Sequence, residues 1–123
     1  MNIQNPPVFD HIVGSNGLTY VLKIVNVGAK TLGPGNTGFS ITMAELGFDP
    51  NTAIILDTRA SIGPTQYYFS SWSYNNAGLK YFPVQQVDTA VNTISWFLRD
   101  YQNTGPAGAV NFTNTTVYAL VPA

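Results

Sequence analysis

Ile94-Ser95-Trp96-Phe97-Leu98-Arg99 sets Ile94, Trp96 and Leu98 at every second position, with Ser95, Phe97 and Arg99 between them. Side chains on a pleated strand point alternately to its two faces, so this spacing puts two aliphatic side chains and an indole on one face. A helix would scatter the same three around its circumference. The segment therefore reads as a strand with one face in a core.

The same period of two recurs on both sides. Phe39, Ile41 and Met43 alternate with Ser40 and Thr42, and Ile54 and Leu56 with Ile55 and Asp57. Leu18, Tyr20, Leu22 and Ile24 alternate with Thr19, Val21, Lys23 and Val25, and both sets are apolar enough to predict a central strand buried on two sides. Towards the end of the chain, Phe112, Thr116, Tyr118 and Leu120 are expected to face one way and Thr115, Val117, Ala119 and Val121 the other. Turn chemistry separates the runs: Gly14-Ser15-Asn16-Gly17, the loop Gly33–Gly38, Asp49-Pro50-Asn51, Gly63-Pro64, Asn75–Gly78 and Gly105-Pro106. The only helical candidate is one turn at Ala44-Glu45-Leu46. Short alternating strands between frequent turns predict an all-β, antiparallel sandwich of about seven to eight strands, jelly-roll or immunoglobulin-like. With 123 residues there is room for one domain, expected over residues 9–123. Residues 1–8, with two prolines, read as an extended N-terminal arm with contact candidates Ile3, Pro6, Pro7 and Val8.

Composition narrows the function. Hydrophobic residues make up 45% of the chain but charged residues only 9%, against roughly 25% in ordinary soluble domains. The polar surface must then come from Asn, Thr, Ser, Gln and Gly, which points to a protein packed against neighbours. A net charge of −1, with five basic residues spread from Lys23 to Arg99, offers no track for a phosphate backbone or an anionic membrane. Without cysteine there is no disulfide, thiol nucleophile or thiolate metal site. The N-terminus lacks the basic start and apolar run of a signal peptide, so synthesis in a cytoplasm without export by its own signal is expected.

No catalytic, metal or cofactor motif is legible. His11 is the single histidine, and Ser15 sits in a turn sequence rather than in a nucleophile elbow. The acids Asp10, Glu45, Asp49, Asp57, Asp88 and Asp100 show no calcium-loop spacing, and most lie at turns or strand ends. Gly28-Ala29-Lys30-Thr31 lacks the preceding glycine and the following helix of a phosphate loop. A non-enzymatic role follows.

Tyr67-Tyr68-Phe69-Ser70-Ser71-Trp72-Ser73-Tyr74 is the densest aromatic stretch and reads as one strand. Tyr68, Trp72 and Tyr74 would share one face, with Tyr67 and Phe69 on the other. One face belongs to the core. The other suits internal packing, a protein interface or stacking on sugar rings.

The segment Phe39–Leu56, a strand followed by a Leu46-Gly47 turn, a Pro50-Asn51 loop and a second strand, resembles small virion proteins of tailed bacteriophages. These are head-decoration (cement) proteins and small tail or fibre-tip domains. The resemblance covers at most half the chain and brings no active-site residue. It implies a β-sandwich module, often trimeric, made in the host cytoplasm and bound in the virion to major capsid or other virion protein by surface complementarity. Capsid decoration is the leading expectation, and a receptor- or carbohydrate-binding tip the alternative.

Overall fold

A computed structural model describes residues 11–123, so the arm candidates Ile3, Pro6, Pro7 and Val8 lie outside the described residues. The chain is all-β, and every strand pairing is antiparallel. The strands are β1 (His11–Val13), β2 (Thr19–Asn26), β3 (Lys30–Leu32), β4 (Phe39–Thr42), β5 (Ile54–Ile62), β6 (Thr65–Tyr68), β7 (Tyr74–Asn76), β8 (Leu79–Asp88), β9 (Thr93–Arg99), β10 (Val110–Phe112) and β11 (Asn114–Pro122). One helical turn, α1 (Met43–Leu46), follows β4. A five-stranded sheet in the order β1-β2-β11-β5-β6 faces a four-stranded sheet in the order β4-β9-β8-β7, with a two-stranded ribbon of β10 and β3.

Among the described residues eleven strands stand where seven to eight are expected from the pattern. The excess comes from three-residue strands, β1, β3, β7 and β10 among them. Three residues are too few to show a period of two, so pairing rather than pattern defines them.

The core is built on β9, whose residues alternate between half-buried and fully buried. Ile94, Trp96 and Leu98 face inward with Phe39 and Ile41 of β4, which the register sets opposite Trp96 and Ile94. Phe39 and Trp96 lie opposite each other and stack, with ring centroids 5.1 Å apart. From the other sheet come Ala60 of β5 and Val117 and Ala119 of β11.

Two expectations need correction. β2 is not buried on both faces: Ile24 is 58% exposed and Leu22 is exposed beside it. β2 has strands on either side of it, and its outward face is covered only at Tyr20, whose hydroxyl accepts from Asn16 in the preceding turn at 3.0 Å. Phe112 does not share a strand with Tyr118 either. The ladder breaks at Thr113, whose N–H and hydroxyl both donate to the Ser61 carbonyl, and Phe112 turns into the core on β10.

α1 forms as expected, for local reasons. Thr42 caps it by accepting from the Glu45 N–H at 3.2 Å while the Glu45 carboxylate accepts from the Thr42 N–H, and Gly47 ends it at φ 76°. Lys30 reaches across from β3 to the Glu45 carboxylate at 3.3 Å. No helix among the described residues is long and apolar enough to cross a membrane.

Candidate functional site

The aromatic stretch from Tyr67 to Tyr74 is not one strand. β6 ends at Tyr68 and β7 begins at Tyr74, and the two belong to different sheets. Asp57 is the cause. One of its carboxylate oxygens accepts the Ser70 N–H at 3.2 Å, and the other accepts the Ser70 hydroxyl at 2.7 Å. The Phe69 N–H donates to the Thr58 carbonyl at 2.8 Å, and the N–H groups of Ser71 and Trp72 both turn back to the Tyr68 carbonyl. Charge-assisted bonds of this kind outweigh the propensity of a Tyr- and Ser-rich run to stay extended. The chain bends there and crosses from one sheet to the other.

The bend redistributes the rings. Trp72 stacks on Phe69 at 5.9 Å and on Tyr74 at 6.4 Å, meets Tyr67 at 6.0 Å and presents its edge to Phe112 at 5.5 Å. Phe69 continues to Trp96 at 6.4 Å, and Tyr74 to Tyr81 at 6.4 Å. Four of the five aromatic candidates, Tyr67, Phe69, Trp72 and Tyr74, thus form one internal cluster bridging the sheets. The expected grouping of Tyr68, Trp72 and Tyr74 on one face does not hold. Trp72 and Tyr74 lean on the core, and Asn76 secures Tyr74 by donating to its hydroxyl at 3.2 Å.

Tyr68 goes the opposite way. Its register partner is Arg59, which lies opposite Thr116, on the outward face of the five-stranded sheet. Its ring lies 6.5 Å from that of Tyr118, over which the Arg59 guanidinium sits at 5.7 Å.

This outward face was not singled out from the sequence. Leu22 pairs with Leu120, Ile24 with Tyr118 and Ile54 with Leu120, so these five side chains share it. Leu56 has no partner in the ladder at a bulge in β5 and is exposed as well. The outward face of the other sheet carries exposed Phe82 and Val84, with Val84 opposite Phe97 and the Arg99 guanidinium 5.0 Å from the Phe97 ring. Both sheets therefore turn apolar side chains outward. The register could have revealed this, but alternation could not, because both faces of these strands are apolar.

The described aspartates work as structural acceptors. Asp49 takes the Asn51 N–H, Asp88 the Ala90 N–H, and Asp100 the N–H groups of Gln102 and Thr104, each at 2.9 to 3.0 Å. Glu45 is held below the usual carboxylate range, first by the Thr42 backbone N–H and then by Lys30. His11 opens β1 opposite Val21. No group of three His, Cys, Asp or Glu side chains placed to hold a metal occurs among the described residues.

Comparison with protein-family models, with curated proteins and with solved structures finds no match to this chain.

Proposed function

We propose that the chain is a non-enzymatic structural module that works inside an assembly, as a capsid-decoration protein of a bacteriophage virion. The supporting observation is the outward face of the five-stranded sheet. Monomers in water rarely keep a contiguous apolar patch of this kind, and such patches mark interaction surfaces. Here Leu22, Ile24 and Ile54 are exposed beside half-buried Leu120 and Tyr118. A chain with only 9% charged residues has few ion pairs to lose on being covered. The partner is then major capsid protein or a second copy of the chain, with a trimer as the expected oligomer and residues 1–8 adding contacts.

The test is hydrodynamic. Light scattering on the purified protein, alone and with capsids lacking it, is expected to show a homo-oligomer or saturable particle binding. A monomer that binds no particle contradicts the proposal.

One observation favours a second reading, a receptor- or carbohydrate-binding tip. The Tyr68 ring is 44% exposed beside Tyr118 and Arg59, and an exposed ring flanked by a guanidinium can stack on a sugar. A glycan screen with Tyr68→Ala decides: saturable binding lost in that variant favours the tip.

A further inference from the structure

The edges of the two sheets differ in length. β1 and β7 are strands of three residues, and β4 and β6 of four, so each offers little backbone to a neighbour. β8 is the exception. Its residues Leu79–Tyr81 pair with β7, but Phe82–Asp88 pair with β9 alone, and among the described residues no backbone bond reaches their other side. Phe82, Val84, Gln85, Gln86 and Asp88 are exposed. No charged residue interrupts the run from Phe82 to Val87. Native proteins usually shorten, charge or cover such an edge, because its free N–H and C=O groups are a template for another strand.

The turn before β8 fixes which backbone groups are left free. Ala77 and Gly78 have φ of 52° and 79°, the two positive values of a type I′ hairpin, which closes on a hydrogen-bonded pair between Asn76 and Leu79. Backbone groups alternate sides along a strand. Leu79 and Tyr81 therefore turn theirs to β7, and Phe82, Val84, Gln86 and Asp88 turn theirs to β9. Pro83, Gln85 and Val87 face the free side. Pro83 agrees with this parity: a proline aimed at β9 would break the ladder, and the register runs past it without a shift. The edge thus offers two N–H donors, at Gln85 and Val87, and three carbonyls, at Pro83, Gln85 and Val87.

We propose that a second copy of the chain pairs here, β8 against β8, antiparallel about a twofold axis at Gln85. Gln85 is the midpoint of the free stretch, so this register uses all of it. Phe82 faces Asp88 of the second copy, Pro83 faces Val87, and Val84 faces Gln86. Each Gln85 N–H donates to the Gln85 carbonyl of the other copy, and each Val87 N–H to the Pro83 carbonyl. The missing N–H of Pro83 costs one bond at each end. Charge selects the direction. β8 carries one cation, Lys80, near its start and one anion, Asp88, at its end, both exposed and neither in an ion pair among the described residues. The antiparallel register sets each Lys80 diagonal to Asp88 of the other copy, within reach of a lysine side chain, whereas a parallel one sets like beside like. The two four-stranded sheets become one, and exposed Phe82 and Val84 of both copies join a single outward face. The contact is independent of the capsid-decoration reading. It lies on the other sheet from Leu22 and Ile24, and a trimer built through their face leaves the β8 edge free.

The experiment is analytical ultracentrifugation of the purified protein, with amide hydrogen exchange measured at the same concentrations. One strand from each copy covers less than the ~1,200 Å² of stable complexes, so a Kd on the order of 100 µM is expected. As the protein associates, exchange at Gln85 and Val87 is expected to slow, while Val84 and Gln86, already bonded to β9, stay unchanged. Gln85→Pro removes the N–H at the twofold axis but none of the bonds to β9, and is expected to weaken the association about tenfold. Lys80→Asp, an exposed substitution that leaves the backbone alone, carries the test should the proline disturb β8. It sets acid against acid and is expected to weaken the association about fivefold at low ionic strength. The double variant Leu22→Lys, Ile24→Lys should keep the slowed exchange at Gln85 and Val87, so loss of particle binding and loss of β8 pairing are separate results. The proposal is overturned if the protein stays monomeric at about 1 mM, if it associates without slower exchange at Gln85 and Val87, or if either folded β8 variant associates like the wild type.

Discussion

The rings of Trp72 and Phe69, three residues apart in the chain, stack at 5.9 Å with 26° between their planes. The contact exists because the chain bends between them, and it joins the connection between the sheets to the core through Phe69 and Trp96. Trp72→Ala therefore removes four ring contacts at once. A fully buried Trp costs about 3–5 kcal/mol on truncation. Trp72 is half-buried, so a loss of about 2–3 kcal/mol is expected in urea unfolding. A change within error would mean that the ring cluster does not hold the sheets together.

Ser70→Ala tests the bend itself. It removes the hydroxyl that donates to Asp57 at 2.7 Å but leaves the backbone bond from the Ser70 N–H. Because the site is exposed, about 1 kcal/mol is expected rather than the full strength of a charge-assisted bond. Hydrogen exchange should also quicken at Phe69, Ser71 and Trp72, while β9 stays protected.

Gly38 leads into β4 so close to β9 that a Cβ on it would collide with the Trp96 backbone carbonyl. Gly38→Ala must push β4 away from the strand on which the core is built. A loss of about 1–3 kcal/mol is expected, as for other overpacked sites. Gly63→Ala serves as a comparison, because a Cβ there meets nothing within 4 Å, although its φ of 57° makes it mildly strained.

Acid should act on α1 in a defined order. The folded-state pKa of Glu45 is depressed, chiefly by the Thr42 N–H. The capping box is thus fully in place above the ordinary glutamate range and is lost only as the pH falls through the lowered value. A carboxyl chemical-shift titration should show Glu45 protonating below an unstructured Glu, and Lys30→Ala should move it back up. A Glu45 titration at the ordinary value would remove the capping box from the account.

The legibility of this fold varied with how unequal the two faces of a strand are. β9 was readable because Ile94, Trp96 and Leu98 alternate with Ser95 and Arg99. β2 misled because Leu22 and Ile24 are as apolar as Val21 and Val25, so alternation could not tell a doubly buried strand from one with an open apolar face. The Tyr67–Tyr74 stretch misled for a different reason. Its bend depends on Asp57, thirteen residues before Ser70, and no local propensity announces a hydrogen bond over that distance.

The most direct test of an assembly role is co-sedimentation of the protein with capsids that lack it, comparing the wild type with the double variant Leu22→Lys, Ile24→Lys. Both side chains are exposed on the outward face, so the substitutions should leave folding within about 0.5 kcal/mol, as surface changes usually do. The wild type is expected to pellet with the particles to a fixed stoichiometry, and the folded double variant to remain in the supernatant. A folded double variant that pellets like the wild type, or a wild type that never pellets, would contradict the account.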